Sequence, residues 1–119
     1  MKRQKAEKRG RYAETAAEIY LRLKGYRILA RRFKSHSGEI DLIARKGKTT
    51  AFIEVKARNS HDAAIGSVTP YQERRISAAA AAWMSRDKIA AQSFCRFDIV
   101  AVNAYFWPTH IVNAFWGDR

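Results

Sequence analysis

The chain has a single cysteine, Cys95, only two prolines, and fewer than half as many acidic residues as basic ones, 11 against 23. One cysteine excludes an internal disulfide and any metal site built wholly from thiolates. No apolar run reaches the ~18 residues that a membrane-spanning helix requires. No apolar stretch follows the charged N-terminus as it would in a secretory leader. The histidines His36, His61 and His110 lack the spacing of a metal-ligand set and read as surface or hydrogen-bonded core residues. Internal repeats, low-complexity tracts and linkers are missing too. A soluble, cytoplasmic protein is the expectation these absences leave, with no membrane partner.

What is present is a globular composition, 47% apolar and 12% aromatic over 119 residues, enough for one domain with one core. The net charge of +12 is a strong potential for so small a chain. Nucleic acid is the partner it implies first; a solubilising surface or attraction to anionic lipid are the alternatives.

Met1 to Arg11 holds six basic residues and reads as a flexible basic arm or a frayed first helical turn ahead of a domain spanning residues 12–119. A helix is expected over Tyr12–Lys24, with Ala13, Ala16, Ala17, Tyr20 and Leu23 as its apolar stripe and Gly25 ending it. Tyr26–Phe33 reads as a strand, and residues 59–68 as a polar loop. Thr69 is placed to cap a second helix running to about Arg86, with Pro70 at its first position and Gln72 completing a capping box. Ile76, Ala79, Ala80, Trp83 and Met84 are that helix's buried stripe. Phe94–Val102 and His110–Phe115 are further strands, with Pro108 marking a turn. The order helix, three strands, helix, two strands predicts an α/β domain with a mixed sheet of four to five strands flanked by helices.

The chain is organised around Gly38–Arg45 and Thr50–Arg58, two strands joined by a tight turn at Lys46-Gly47-Lys48. With the turn at Gly47-Lys48, Asp41 lies opposite Glu54; with it at Lys46-Gly47, Asp41 lies diagonal to Glu54. Either way Asp41, Glu54 and Lys56 share one side of the sheet, whereas a three-residue loop would turn Asp41 to the other. Facing carboxylates repel, by about 0.2–1 kcal/mol on an exposed sheet. A fold that keeps the pair needs a cation between them: Lys56, another basic side chain, or a divalent metal.

An Asp followed by Glu-X-Lys on an adjacent strand suits metal-assisted phosphodiester hydrolysis. Asp41 and Glu54 are hard oxygen ligands for Mg²⁺ (Mn²⁺ as substitute), with the backbone carbonyl of Val55 as a third. Lys56, on the same face as Glu54, is placed to orient the attacking water or to stabilise the transition state. A lone Glu-X-Lys is common and is usually a surface ion pair. The combination, in register within apolar strands of a basic protein, is the stronger signal.

Three stretches carry a resemblance: Gly38-Glu39-Ile40-Asp41-Leu42-Ile43, Phe52-Ile53-Glu54-Val55-Lys56-Ala57-Arg58 and Cys95-Arg96-Phe97-Asp98-Ile99-Val100. Together they resemble the YraN-like family of predicted endonucleases, within the PD-(D/E)XK nuclease superfamily and similar in fold to archaeal Holliday-junction resolvases. The resemblance covers about residues 10 to 116. It implies a restriction-endonuclease-like core, Asp41 and Glu54 as metal ligands and Lys56 as the catalytic lysine. It also implies that Glu14, on the first helix, helps bind metal. Several relatives carry a Lys near the start of the second helix where this chain has Gln72, which its capping role explains without a catalytic duty. The resemblance implies DNA, branched or otherwise structured, as substrate, and a homodimer by analogy with resolvases.

The remaining candidates have plain readings beside the sharp ones. Glu39 is a secondary ligand or a partner for Lys48, Lys56 or Arg58. Asp98 reads as a structural carboxylate before a catalytic one. His36 lies close enough before the site to touch a phosphate. Arg31, Arg32, Lys34, Arg58, Arg74 and Arg75 are the expected phosphate contacts. Cys95 and Trp83 read as core, and Trp107 and Trp116 as core, base-stacking platform or dimer contact. Three readings compete: a Mg²⁺-dependent endonuclease, a nucleic-acid-binding module with a silent nuclease site, and a basic protein of a ribonucleoprotein.

Overall fold

The computed structural model describes residues 2–115, with side chains described from residue 10. Its elements run α1 (Lys2–Leu23), β1 (Arg27–Ser35), β2 (Gly38–Lys46), β3 (Thr49–Ala57), α2 (His61–Gly66), α3 (Pro70–Arg86), α4 (Lys88–Gln92), β4 (Phe94–Val102) and β5 (Pro108–Phe115). The strands form one five-stranded sheet in the order β1-β2-β3-β4-β5. Neighbours are antiparallel except β3 and β4, which pair in parallel. That parallel pair needs a crossover, and α3 supplies it. The mixed sheet flanked by helices is the expected architecture, with two short helices added.

Strand alternation divides the core between two faces. On one, Ala13, Ala17 and Leu21 of α1 pack with Leu42, Ala44, Ala51, Ile53, Val100 and Val102. On the other, Ile76, Ala79 and Ala80 of α3 pack with Ile40, Ile43 and Phe52, and Ala64 of α2 joins Ile99, Ala101 and Ile111.

Several boundaries differ from the sequence reading. Residues 2–11, read as a flexible arm or a frayed first turn, are helical in continuity with α1; apart from Gly10 they are Lys, Arg, Gln, Glu and Ala, which favour helix, and no proline interrupts them. The stripe of α1 uses Leu21 and leaves Leu23 81% exposed, because steps of four from Ala13 and Ala17 land on Leu21. Gly25, at φ 97°, ends the helix as a Schellman cap. Tyr26 N–H donates to the Leu21 carbonyl and Gly25 N–H to that of Arg22, both at 3.0 Å.

The expected loop at residues 59–68 contains α2. Ser60 caps it by accepting from Ala63 N–H, and buried Ala64 ties it to the sheet. The α3 capping box forms as read, with Thr69 and Gln72 exchanging hydrogen bonds at 3.1 Å. Pro108 opens β5 instead of marking only a turn, a position an edge strand tolerates. Cys95 is exposed rather than core, since it lies at the start of β4, before the strand enters the sheet interior. Gly38 packs under α3 so closely that a Cβ there would sit 1.8 Å from the Arg75 carbonyl oxygen. This contact seats α3 directly over the start of β2.

Candidate metal centre and its surroundings

The β2–β3 hairpin turns at Gly47-Lys48, with Gly47 at φ 58°, a conformation that costs glycine little. Pairs run from Lys46 opposite Thr49 to Leu42 opposite Ile53. Continued by one residue, this register sets Asp41 opposite Glu54. The ladder stops there, and Asp41 Oδ2 accepts the Val55 N–H at 2.9 Å, taking a donor that the backbone no longer pairs. In an extended strand a residue's N–H and C=O face the same neighbour. The Val55 carbonyl therefore also faces the gap where β2 and β3 part.

Phe52 packs toward α3, so Glu54 and Lys56 follow on the same face. Burial, and then the hydrogen bond and like charge of Asp41, push the Glu54 carboxyl up to about 9; the charge of Lys56 opposes the rise and that of Glu39 adds to it. The shift favours the protonated form of Glu54. The two carboxyls lie within hydrogen-bond reach of each other, and Lys56 is the cation that opposes the rise at Glu54. Glu39, exposed at the start of β2, lies across from Lys34 in the β1–β2 register.

Arg32 is the cross-strand neighbour of Asp41 on β1, as the flanking pairs Arg31–Leu42 and Phe33–Ile40 require. Its backbone is left-handed, φ 49°, an uncommon state for a residue with a Cβ and one that stores of order 1–3 kcal/mol. Its guanidinium grips Glu14 at 3.1 and 3.0 Å, which raises the Arg32 pKa, with a smaller contribution from the charge of Asp41. Glu14 thus reaches the acid pair through Arg32 and not as a neighbouring ligand. Among the described residues no three His, Cys, Asp or Glu side chains form a metal-holding group. Of the expected ligands, Asp41 and Glu54 lie within hydrogen-bond reach of each other and the Val55 carbonyl faces the same gap.

The expected phosphate contacts are distributed differently. Arg31 is engaged by Glu18, lowering the Glu18 carboxyl, and Arg32 by Glu14. Lys34, Arg58 and Arg74 are exposed, Arg58 donating to the Ala57 carbonyl at 2.9 Å. Arg75 lies over the Tyr71 ring at 5.7 Å. Gln72 is committed to its capping box. His36 is exposed in the β1–β2 turn.

Asp98 has the structural role the sequence favours. Fully buried, it accepts from Arg96 at 2.8 Å, His110 Nε2 at 2.7 Å and the Asn113 N–H at 3.0 Å. Burial pulls its carboxyl up, but the hydrogen bonds from His110, Arg96 and Asn113 outweigh that and hold it below the usual range. His110 is a satisfied core histidine, its Nδ1 2.9 Å from Lys24 Nζ. Trp83 is partly buried against Phe33. Trp107 is 71% exposed, and Trp116 lies outside the described residues.

The sequence reading missed Asn59, Asn103 and Phe106, which line a cavity at the C-terminal ends of β3 and β4. The available signal was the aromatic run Tyr105-Phe106-Trp107 between Asn103 and Pro108.

The family model described as "Uncharacterised protein family UPF0102" matches residues 13–102. A UPF0102 protein of Mesorhizobium japonicum is 51% identical, over 97% of this chain and 92% of that relative. One of Agrobacterium fabrum is 53% identical, over 96% of this chain and 93% of that relative.

Proposed function

The chain belongs to the uncharacterised protein family UPF0102, and from its geometry we propose that it is a Mg²⁺-dependent endonuclease acting on DNA phosphodiester bonds, with branched or structured DNA as the preferred substrate. The observation that carries this reading is the Asp41–Glu54 pair, two carboxyls facing each other at a strand gap with Glu54 driven up to about 9. Such a pair is stable as two anions only when a cation is added. Hard oxygen donors and a backbone carbonyl suit Mg²⁺, which typically takes one or two carboxylates and completes its shell with water and phosphate.

Asp41, Glu54 and the Val55 carbonyl would hold the ion. When bound, it would lower the pKa of a water and offset charge at phosphorus. The chain's own residues supply the rest. The Val55 N–H fixes the Asp41 carboxylate in place. Lys56, on the Glu54 face, orients the attacking water and stabilises negative charge on the phosphoryl oxygens. Lys34, Arg58 and Arg74 contact flanking phosphates, adding affinity without sequence preference. The resemblance to the PD-(D/E)XK superfamily supports the same three roles, and the dimer of the resolvases is the oligomer to look for.

A nicking assay on branched and linear DNA with Mg²⁺ or Mn²⁺ tests the reading. Cleavage that is lost in Glu54→Ala and Lys56→Ala supports it. The second reading, a nucleic-acid-binding protein with a silent site, is favoured by the engagement of Glu14 with Arg32, which leaves the ligand set sparse. Binding without cleavage across all substrates and both metals would select it.

A further inference from the structure

On the α1 face of the sheet, opposite the face that carries Glu54 and Lys56, a cavity of about 370 Å³ lies at the C-terminal ends of the parallel strands β3 and β4. That volume falls within the range of small-molecule sites, ~300–1,000 Å³. Ala13, Ala57 and Ala104 make small, smooth walls, and the amides of Asn59 and Asn103 supply its polarity. Among the described residues no charged side chain lines it, so it does not suit a phosphate. It suits a flat, neutral ring with hydrogen-bonding edges.

The loop beside it is built to present such a ring with a stacking partner. Asn103 Oδ1 accepts from both Tyr105 N–H, at 2.9 Å, and Trp107 N–H, at 3.0 Å. Asn59 Oδ1 accepts from Ala104 N–H at 3.1 Å. With both amide oxygens committed, the amide nitrogens are the donors left for an acceptor edge. Phe106 is held left-handed, φ 61°, and its ring meets Tyr12 edge-on at 5.8 Å. Strain of this kind persists where the surroundings over-determine it, and it clusters at ligand clamps. Tyr105 and Trp107 flank the loop at 90% and 71% exposure, more aromatic surface than the fold uses.

Ala57 and Asn59 follow Lys56 by one and three residues on the same chain segment, so they lie within about 10 Å of it at ~3.3 Å per residue. Arg58, between them, is exposed at the strand end. A base in the cavity would leave its own phosphate near Arg58, at the edge of the sheet that separates the cavity from the Lys56 face.

We propose that the cavity bounded by Asn59, Asn103 and Phe106 binds one unpaired nucleobase of the substrate strand, stacked on Phe106. This site rests on the nucleic-acid reading of the function. It gives a physical reason for preferring branched DNA, because a base at a branch point is already unstacked and cheap to turn outward.

The test is a scan of a branched duplex in which each nucleotide around the branch is made abasic in turn, with affinity and nicking both measured. One position should lose about tenfold in affinity when abasic, the scale of one stacked base. Phe106→Ala and Asn59→Ala should bind intact and abasic strands alike, and Phe106→Leu, which keeps the bulk but not the ring, should do the same if the alanine variant folds poorly. Glu54→Gln should stop cleavage while keeping the discrimination. Equal affinity at every position, with cleavage intact, overturns the base site and leaves the nuclease standing. Failure of the unmodified protein to bind any DNA overturns the nucleic-acid reading, and the base site with it.

Discussion

Asp41 and Asp98 are both strand aspartates among apolar neighbours, and the fold treats them in opposite ways. Asp98 is fully buried, yet Arg96, His110 and a backbone N–H surround it and hold its carboxyl low. Asp41 is less buried, but what faces it is another acid, and burial of Glu54, followed by its hydrogen bond with Asp41 and their like charge, displaces the Glu54 carboxyl to about 9. One carboxylate arrives with its countercharge built in. The other faces a second acid, and the nearby charge of Lys56 offsets only part of the shift. Burial alone does not set the state of a strand acid; the charges and donors around it do.

The sharpest way to break this contrast is to remove each acid. Asp98→Ala strands Arg96 and His110 without their anion and should cost about 3–5 kcal/mol of stability, read by urea denaturation at neutral pH. Glu54→Gln should leave the urea midpoint unchanged or raised, because it removes the cost of burying an acid that the unfolded chain would ionise at that pH. If Asp98→Ala were harmless, or Glu54→Gln strongly destabilising, the two sites would not differ as described. The same Glu54→Gln change, and Lys56→Ala, should lower the nicking rate by about 10²–10³-fold.

The pH dependence should run in opposite directions at the two sites. Asp98 is held below its ordinary 3.8, so its network stabilises fully above that pH and is lost as pH falls through the folded value. Glu54 goes from 4.5 in the unfolded chain to about 9 in the folded one. Between those values the folded protein keeps a proton that the unfolded chain has released, so stability falls as pH rises. Thermal melts across that range should show an alkaline decline that Mn²⁺ flattens and Glu54→Gln removes. The smallest expected effect is at the rim. Glu14→Gln releases a largely exposed pair with Arg32 and should cost no more than ~1 kcal/mol, leaving the melt near that of the unmodified protein.

The hairpin was legible because its information is local. Alternation, a glycine at the turn and a two-residue loop fix which side chains share a face, and the Thr69–Pro70–Gln72 start of α3 is equally self-contained. What escaped was set by distant partners. Nothing near Arg31 and Arg32 in sequence says that Glu18 and Glu14 occupy them, or that Arg32 is left-handed. Leu21 and Leu23 fit a helical stripe about equally until the sheet is in place. The short helix α2 owes its form to one serine cap and one buried alanine. The cavity at Asn59 and Asn103 joins residues 44 positions apart and exists only once β4 lies beside β3.

The sheet order has a consequence for how the molecule assembles. The meander from β1 to β3 closes through short turns, whereas β4 reaches β3 only after the long excursion through α2, α3 and α4. Short closures cost less chain entropy and are reached sooner. The acidic pair is therefore expected to meet early on the folding route, as two like charges in a half-made sheet. Completion of the parallel pair, the slow step, then buries that repulsion, so a divalent ion present during refolding should speed the last stage more than the first.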